Sequence, residues 1–246
     1  MAEKINLLGV GISVCKPEKI GEEVLALLEK KGPKQIVFLN TWDFLKARRK
    51  NKFAECVRNA DLVLPISKGI IKGAKFLKKT LPVRYNPFDV TIDILSTLEE
   101  HYKSLYLLGG RKKTLMTAEK NIHGTFSDLQ IVGRYVGYYP KSVEDDIIQA
   151  VYKACPSLVI VSEGVKENDC WIYSRKDRFN SSIFLYYHDF LGICSNRIKR
   201  VSKKTFEKGF EFFHELMRNP LKIVYFVPYL IYILTLVWYR LFRKDK

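Results

Sequence analysis

Short apolar runs rich in β-forming residues alternate with helical patterns along the first four fifths of the chain, and this alternation constrains the fold more than any other feature. Several of the runs lack a polar face, which is typical of strands buried on both sides of a parallel sheet. The pattern predicts an α/β domain with a Rossmann-like, mostly parallel sheet and helices on both faces. The predicted strands cover residues 5–10, 35–39, 61–64, 104–108, 129–132, 157–162 and 182–187.

Helix signals lie between the predicted strands. Residues 17–31 open with a proline and end at Lys-Gly, and residues 141–154 place their apolar side chains on one face. After residue 195 the alternation stops, and two further helices are predicted over 203–218 and 221–242. We therefore expect a domain of residues 1–195 and a helical appendage of residues 196–246.

The appendage is basic and strongly apolar. It contains 12 Lys or Arg against 4 Asp or Glu, a net charge of +8 out of +16 for the chain. Its 17 uncharged residues at 223–239 would form a helix of about 25 Å, somewhat shorter than a hydrocarbon core of about 30 Å. Basic and aromatic residues at both ends favour an anionic membrane surface. The predicted membrane-contacting residues are Arg218, Lys222, Tyr225, Trp238, Arg240 and Arg243.

The sequence does not decide whether this segment spans the membrane or lies at its surface. A shallow or re-entrant insertion keeps both basic ends on one side, which favours a monotopic protein at the cytoplasmic face of the membrane. A single spanning helix, a core helix and an oligomer interface are the alternatives.

Five cysteines without a CxxC pair fit a reducing compartment, and four histidines without metal-ligand spacing predict no metal site. The chain has no interleaved basic and aromatic recognition motif, so nucleic acid is not an expected partner.

Three loops carry residues suited to a phosphorylated sugar. The run Leu107–Lys113 follows a strand and opens a helix, so Gly109 and Gly110 could let backbone N–H groups approach a diphosphate beside Arg111 and Lys112. A plain strand-to-helix turn explains the glycines equally well.

The second loop contains Arg84 and Asp89. Arg84 could clamp a phosphate and Asp89 could act as a base, or the two could form an ion pair that shapes the loop. The third loop runs from Gly164 to Trp171 and follows a strand at the sheet edge where ligands bind in such folds. Its Asn168 and Asp169 could contact a sugar or cap the next helix.

Taken in order, these segments resemble the WecG/TagA/CpsF glycosyltransferase family. The family's Asn after an early strand appears as Asn40, its ADLVLPDG segment as residues 60–67, its Arg-to-Asp loop as Arg84 and Asp89, and its LLGG turn as residues 107–110. Its Gly-Tyr pair appears as Gly137 and Tyr138, and its GxPxQExW signature as residues 164–171. The basic run 197–200 and the segment 209–222 also resemble family elements.

The resemblance implies transfer of an N-acetylhexosamine from a UDP-sugar to a polyprenyl-diphosphate-linked acceptor in bacterial cell-envelope polysaccharide synthesis. An inverting, metal-independent reaction without a cofactor is expected, in a protein that could also self-associate. The implied substrate-binding residues are Asn40, Thr41, Ser67, Arg84, Gly109, Gly110, Arg111, Gly137, Tyr138, Gly164, Asn168 and Trp171.

Two departures from the family pattern bear on catalysis. The carboxylate of LPDG is replaced by Ile66, and the Thr two places before the Asn is replaced by Phe38. Because Ile66 cannot accept a proton, we expect Asp89 or Asp169 to have taken over the role of base. The alternative is a catalytically inactive member that acts as a membrane-bound scaffold or regulator of glycan assembly.

Overall fold

The computed structural model describes residues 2–209 and 226–242. Its centre is a six-stranded parallel sheet. The strands of this sheet are β3 Lys34–Leu39, β4 Leu62–Pro65, β5 Ser104–Leu108, β6 Gln130–Tyr135, β7 Leu158–Val161 and β8 Ile183–Tyr186. They lie in the order β4-β3-β8-β7-β5-β6. The predicted Rossmann-like parallel sheet is confirmed.

Helices follow the strands in the alternating manner predicted from the sequence, and they lie on both faces of the sheet. Short 3₁₀ turns at Pro17–Lys19 and Lys141–Val143 replace the first turns of two predicted helices. The helices are α1 Ile20–Leu28, α2 Thr41–Ala47, α3 Lys52–Asn59, α4 Lys68–Phe76, α5 Pro87–Glu100, α6 Lys112–Thr125, α7 Glu144–Ala154, α8 Asp169–Arg175, α9 Phe190–Cys194, α10 Lys203–Lys208 and α11 Phe226–Phe242.

The apolar strands divide the core into two faces. On one face Ile36, Phe38 and Leu107 join the cluster beneath α1, α5 and α6. On the other face the alternate residues Val37 and Leu39 join the cluster beneath α2, α3 and α11. Three of the strands, β3, β4 and β7, are buried along their whole length, which explains why their sequences lack a polar alternation.

The first predicted strand, residues 5–10, is not part of this sheet. The segment forms an antiparallel hairpin of β1 Glu3–Leu7 and β2 Val10–Val14. Leu8 and Gly9 both have positive φ, as a tight hairpin turn requires, and the Asn6 side chain accepts a hydrogen bond from the Gly9 N–H at 2.8 Å. The hairpin packs beside β4, where the buried Ser13 hydroxyl accepts the Val63 N–H at 3.0 Å.

The C-terminal helix α11 packs on α2 and α4 through one face. Tyr232 is only 1% exposed, its ring meets Phe44 edge to face, and its hydroxyl donates to the Gly69 carbonyl at 3.0 Å. The Arg240 guanidinium donates to the Phe76 carbonyl at 3.2 Å. The opposite face is apolar and exposed, and it carries Val227, Leu230, Ile231, Leu234, Val237, Trp238 and Leu241.

Parts of the predicted appendage fall outside the described residues. Helix α10 ends at Lys208, earlier than predicted, with Gly209 as its C-cap residue. The predicted membrane-contacting residues Arg218, Lys222, Tyr225 and Arg243 lie beyond the described ranges. Within residues 2–209 and 226–242, no helix combines the length and the apolar character needed to cross a bilayer. The division of the chain at residue 195 stays a prediction.

Candidate active site

The loops that follow the parallel strands meet at the carboxyl edge of the sheet, where open α/β sheets bind their ligands. Asn40 directly follows β3, Ser67 follows β4, and Gly109 follows β5. Gly137 and Gly164 lie in the loops after β6 and β7. The fold therefore brings most of the predicted substrate-binding residues to one edge.

Asn40 organises the start of α2. Its side-chain oxygen accepts the Asp43 N–H at 2.8 Å, and its amide nitrogen donates to the Asp43 carboxylate at 2.7 Å. Beside it the hydroxyls of Thr41 and Ser67 are 2.6 Å apart and join the ends of β3 and β4. Asp43 was missed by the sequence analysis, although an acidic residue three places after an N-cap Asn is a helix-start signal that could have found it.

The glycine loops are packed against one another by backbone hydrogen bonds. The Gly109 N–H donates to the Tyr135 carbonyl at 2.9 Å, and the Gly110 N–H donates to the Glu163 carbonyl at 2.7 Å. The Gly137 N–H in turn donates to the Gly110 carbonyl at 2.9 Å. The prediction that Gly109 and Gly110 offer N–H groups to a phosphate is wrong for this structure, because those two groups already bind carbonyl oxygens of the protein.

The need for glycine in these loops is steric. A Cβ on Gly137 would overlap the Glu163 carbonyl oxygen and lie 2.9 Å from the Gly109 Cα. A Cβ on Gly164 would lie 2.7 Å from the Tyr138 ring. The three loops therefore approach more closely than side chains allow.

The start of α6 carries the exposed cations of this edge. Arg111 is the N-cap residue, and Lys112 and Lys113 form the first turn, all three exposed. The Arg111 guanidinium lies 5.6 Å from the centre of the Tyr138 ring, which is 57% exposed. A helix N-terminus with three cations favours an anion, so this is the part of the edge best suited to a diphosphate.

Residues 196–209, which we call the strap, run across the same edge. The Arg197 guanidinium pairs with Glu163 at 2.5 Å in the loop after β7. The Lys208 carbonyl accepts the Lys68 ammonium at 2.9 Å at the start of α4. The strap therefore joins loops on both halves of the sheet edge. In the sequence, the basic residues of the strap were noticed only because they resemble an element of the family.

The strap also binds the second predicted loop. Arg84 donates to the Ile66 carbonyl at 3.0 Å and to the Phe206 carbonyl at 2.5 Å, and its guanidinium lies 3.8 Å from the centre of the Phe206 ring. Asp89 pairs with Arg200, which also lies over the Phe88 ring. In this arrangement two of the predicted functional side chains are in contact with the strap.

The third loop is strained and held by ion pairs. Glu167 and Asn168 both have positive φ, at 68° and 52°, a conformation that costs about 1–3 kcal/mol for each such residue. Glu167 pairs with Arg175 at 3.0 Å and with Lys52 at 3.3 Å, while Asn168 stays exposed before α8. Strain of this kind is often found where a loop presents a side chain to a ligand.

Trp171 lies in the core rather than at the site. Its side chain is 1% exposed, packs near Phe179, and donates its indole N–H to Glu144 at 2.7 Å. The prediction that Trp171 contacts the substrate is therefore corrected, because the buried ring offers no face to a sugar. Its function in this structure is to pack α8 against the sheet.

Asp169 is also buried, with 9% of its surface exposed. Its Oδ1 atom has no hydrogen-bond partner among the described residues. Burial, and then the neighbouring Asp43 carboxylate, raise the pKa of Asp169 well above its ordinary value. A carboxyl group that keeps its proton cannot act as a base, so these features argue against the catalytic role predicted for Asp169.

The parallel sheet and the helices on both of its faces define a Rossmann-like α/β protein, with exposed cations at its carboxyl edge. The chain belongs to the WecG/TagA/CpsF family of glycosyl transferases, whose family model matches residues 5–246. Within residues 2–209 and 226–242, no group of three or more His, Cys, Asp or Glu side chains is arranged to hold a metal ion.

Its characterised relatives are distant. The chain is 21% identical over 170 residues to an N-acetylglucosaminyldiphosphoundecaprenol N-acetyl-β-D-mannosaminyltransferase of Bacillus subtilis strain 168, covering 68% of this chain and 65% of the relative. A Bacillus spizizenii enzyme of the same name is 20% identical, covering 75% and 71%. A Staphylococcus aureus enzyme of the same name is 18% identical, covering 80% and 78%.

Because the loops approach closely, replacing Gly137 should destabilise the protein, whereas replacing Gly124 should not. Gly137→Ala should lower the free energy of unfolding by about 1–3 kcal/mol, because the added methyl group overlaps the Glu163 carbonyl. Gly124→Ala in α6, where a Cβ meets nothing within 4 Å, is the matched control and should be neutral or slightly stabilising. Urea unfolding followed by circular dichroism measures both, and equal stability of the two variants would contradict the packing described.

The raised pKa of Asp169 predicts a pH dependence of stability. The folded carboxyl keeps a proton that the unfolded chain releases above about pH 4, so the folded state loses stability as the pH rises, by up to about 1.4 kcal/mol per pH unit. Asp169→Asn removes this loss. Its free energy of unfolding, relative to that of the parent, should therefore increase between pH 5 and pH 7 in urea titrations. Asp146→Asn on the exposed side of α7 is the control.

Proposed function

We propose that this protein is a glycosyltransferase that moves an N-acetylhexosamine from a UDP-sugar to a polyprenyl-diphosphate-linked acceptor in the synthesis of bacterial cell-envelope polysaccharide. The observation that carries the proposal is the family match over residues 5–246, combined with a cation-rich carboxyl edge of the sheet. The names of the relatives support a lipid-linked N-acetylglucosamine as the acceptor.

The donor diphosphate has a suitable place at the start of α6. Arg111 and Lys112 are exposed beside the helix N-terminus, and the Arg111 side chain lies near the exposed Tyr138 ring. Arg84 would join them from the other half of the edge, where its guanidinium now contacts Phe206. The sugar would contact Asn40, Ser67 and Asn168, which follow strands or precede helices at this edge.

The proposed reaction inverts the anomeric carbon in a single displacement. The charge that develops on the departing diphosphate would be stabilised by fixed cations, which is an effective form of electrostatic catalysis. Arg111 and Lys112, at the start of α6, would supply these cations, and the proposed reaction would need no metal ion. A base for the acceptor hydroxyl is the remaining requirement.

Helix α11 would hold the enzyme at the cytoplasmic face of the membrane as a peripheral, monotopic protein. Its inner face is attached to the domain through Tyr232 and Leu236. Its outer face is apolar, with Leu234 68% exposed and Trp238 55% exposed. A helix with one apolar face and basic neighbours suits the boundary between lipid head groups and acyl chains, where the acceptor's own lipid would be found.

One observation favours a second candidate function. Ile66 stands where the resemblance places a catalytic carboxylate, and it packs against the apolar core. A member without turnover would bind lipid and partner proteins as a scaffold in glycan assembly. A measurement of sugar transfer distinguishes the two functions, because only the transferase would form product.

The proposed transfer predicts activity that depends on Arg111. With polyprenyl-diphosphate-linked N-acetylglucosamine and a panel of UDP-sugars, the parent should form a disaccharide from at least one donor. Arg111→Ala should lower kcat/KM about 10- to 100-fold, because a charge-assisted contact to phosphate is worth about 1.5–3 kcal/mol. Lys153→Ala, an exposed cation in the last turn of α7, is the control and should match the parent. An inactive parent that still binds lipid would favour the scaffold.

The proposed membrane contact predicts that one charge on the outer face of α11 weakens binding. Leu234→Glu should reduce partitioning onto phosphatidylglycerol vesicles at least about tenfold. The variant loses the free energy gained when the leucine side chain leaves water, and the anionic lipid repels the added glutamate. Val132→Glu, at a 42% exposed position on β6, is the matched control and should bind as the parent does. Vesicle sedimentation measures both, and equal binding of parent and Leu234→Glu would contradict the contact.

A further inference from the structure

The carboxyl edge contains an acidic residue that no motif of the sequence singled out. Asp43 lies in the first turn of α2, one turn after the end of β3. The side chain of Asp43 is 26% exposed, so it is accessible at the edge but not freely solvated. Helix α2 is held in place on its other side by Phe44, which is fully buried and meets Tyr232.

Two neighbours fix the Asp43 carboxylate. One oxygen accepts the Asn40 side-chain amide at 2.7 Å, and the other accepts the Lys46 ammonium at 3.1 Å. The Asp43 backbone N–H returns a hydrogen bond to Asn40 at 2.8 Å. Both oxygens are thus oriented by the same turn of helix that carries Asn40, a residue in the proposed sugar-binding set. Lys46 balances a negative charge at this position.

The buried Asp169 provides an independent observation. Its Oδ1 atom is buried and has no hydrogen-bond partner among the described residues, which is uncommon for a buried polar atom. Burial raises the pKa of Asp169, and the neighbouring Asp43 carboxylate raises it further. Burial also raises the pKa of Tyr186 at the end of β8, with smaller contributions from Asp169, Asp189 and Asp43. Asp43 and Asp169 therefore form a pair of carboxyl groups in contrasting environments.

The two groups differ in their surroundings. Asp169 is buried, and burial raises its pKa. The side chain of Asp43 is 26% exposed, and its carboxylate is oriented by its two hydrogen-bonding neighbours. Asp43 also lies in the first turn of α2, which the contact between the Thr41 and Ser67 hydroxyls joins to the loop that carries Ile66. Of the two carboxyl groups, Asp43 is the one that a substrate can reach.

We propose that Asp43 is the catalytic base of the transfer reaction, in place of the carboxylate missing at Ile66. This inference rests on the proposed function. In the reaction the acceptor hydroxyl oxygen bonds to the anomeric carbon of the donor, and the bond from that carbon to the phosphate oxygen breaks. The electron pair of the broken bond leaves with the nucleoside diphosphate, and the hydroxyl proton passes to the Asp43 carboxylate and then to solvent.

The test compares Asp43→Asn with Asp43→Ser in the full-length protein. Each removes the carboxylate, and each retains an oxygen that can accept the Asn40 amide. With the best donor of the panel, each should lower kcat about 10²- to 10⁴-fold. The dissociation constant for that UDP-sugar, measured by calorimetry, should stay within about threefold of the parent's value, because a base acts on the acceptor rather than on the donor.

The matched control is Asp145→Asn, which breaks the exposed ion pair with Arg178 on α7 and should leave kcat unchanged. If the parent is active and either variant binds the donor and turns over within about threefold of the parent, Asp43 is not the base and the proposed function stands. A parent that transfers sugar from none of the donors overturns the proposed function itself, and this inference with it.

Discussion

The backbone hydrogen bonds that join the loops after β5, β6 and β7 are the constraint on which the carboxyl edge depends. Gly110 donates to the Glu163 carbonyl and accepts from Gly137, so each loop fixes the next. The same Glu163 then anchors the strap through Arg197. The start of α6, with its cations, is aligned by this chain of contacts. The glycines are therefore required for the position of the charged groups more than for direct contact with a ligand.

Most of the parallel sheet could be predicted from the sequence, because buried strands leave uniform apolar runs. Strands such as Ser104–Leu108 were located to the residue. The hairpin Glu3–Val14 could not be separated from a single strand, because its turn at Leu8 and Gly9 has apolar residues on both sides. The hairpin also packs against β4, for example through the hydrogen bond between Ser13 and Val63, and such contacts between distant parts of the chain are not visible in the sequence.

The sequence predicted which loops carry the candidate site residues but not the surroundings of their side chains. Loops after parallel strands gather at one edge, and Asn40, Ser67 and Arg111 do follow strands of the sheet, while their contact with a substrate stays a prediction. A sequence does not reveal which way a helix turns its residues, and the first turns of α8 bury Asp169 and Trp171. Asp43 was overlooked because it belongs to none of the motifs that the sequence resembles, and its contacts with Asn40 and Lys46 follow from the start of a helix that the sequence analysis did not predict.

The two outer strands of the sheet have different consequences for self-association. The hairpin covers β4, where Ser13 satisfies a backbone donor of that strand, whereas Val132 and Tyr135 on the terminal strand β6 are exposed. An uncovered strand is a template for pairing with another chain. Among residues 2–209 and 226–242, no strand pairs with the outer border of β6, so pairing of two copies through β6 would use both open borders at once. Growth by this route would stop at two copies and would not continue into a fibre.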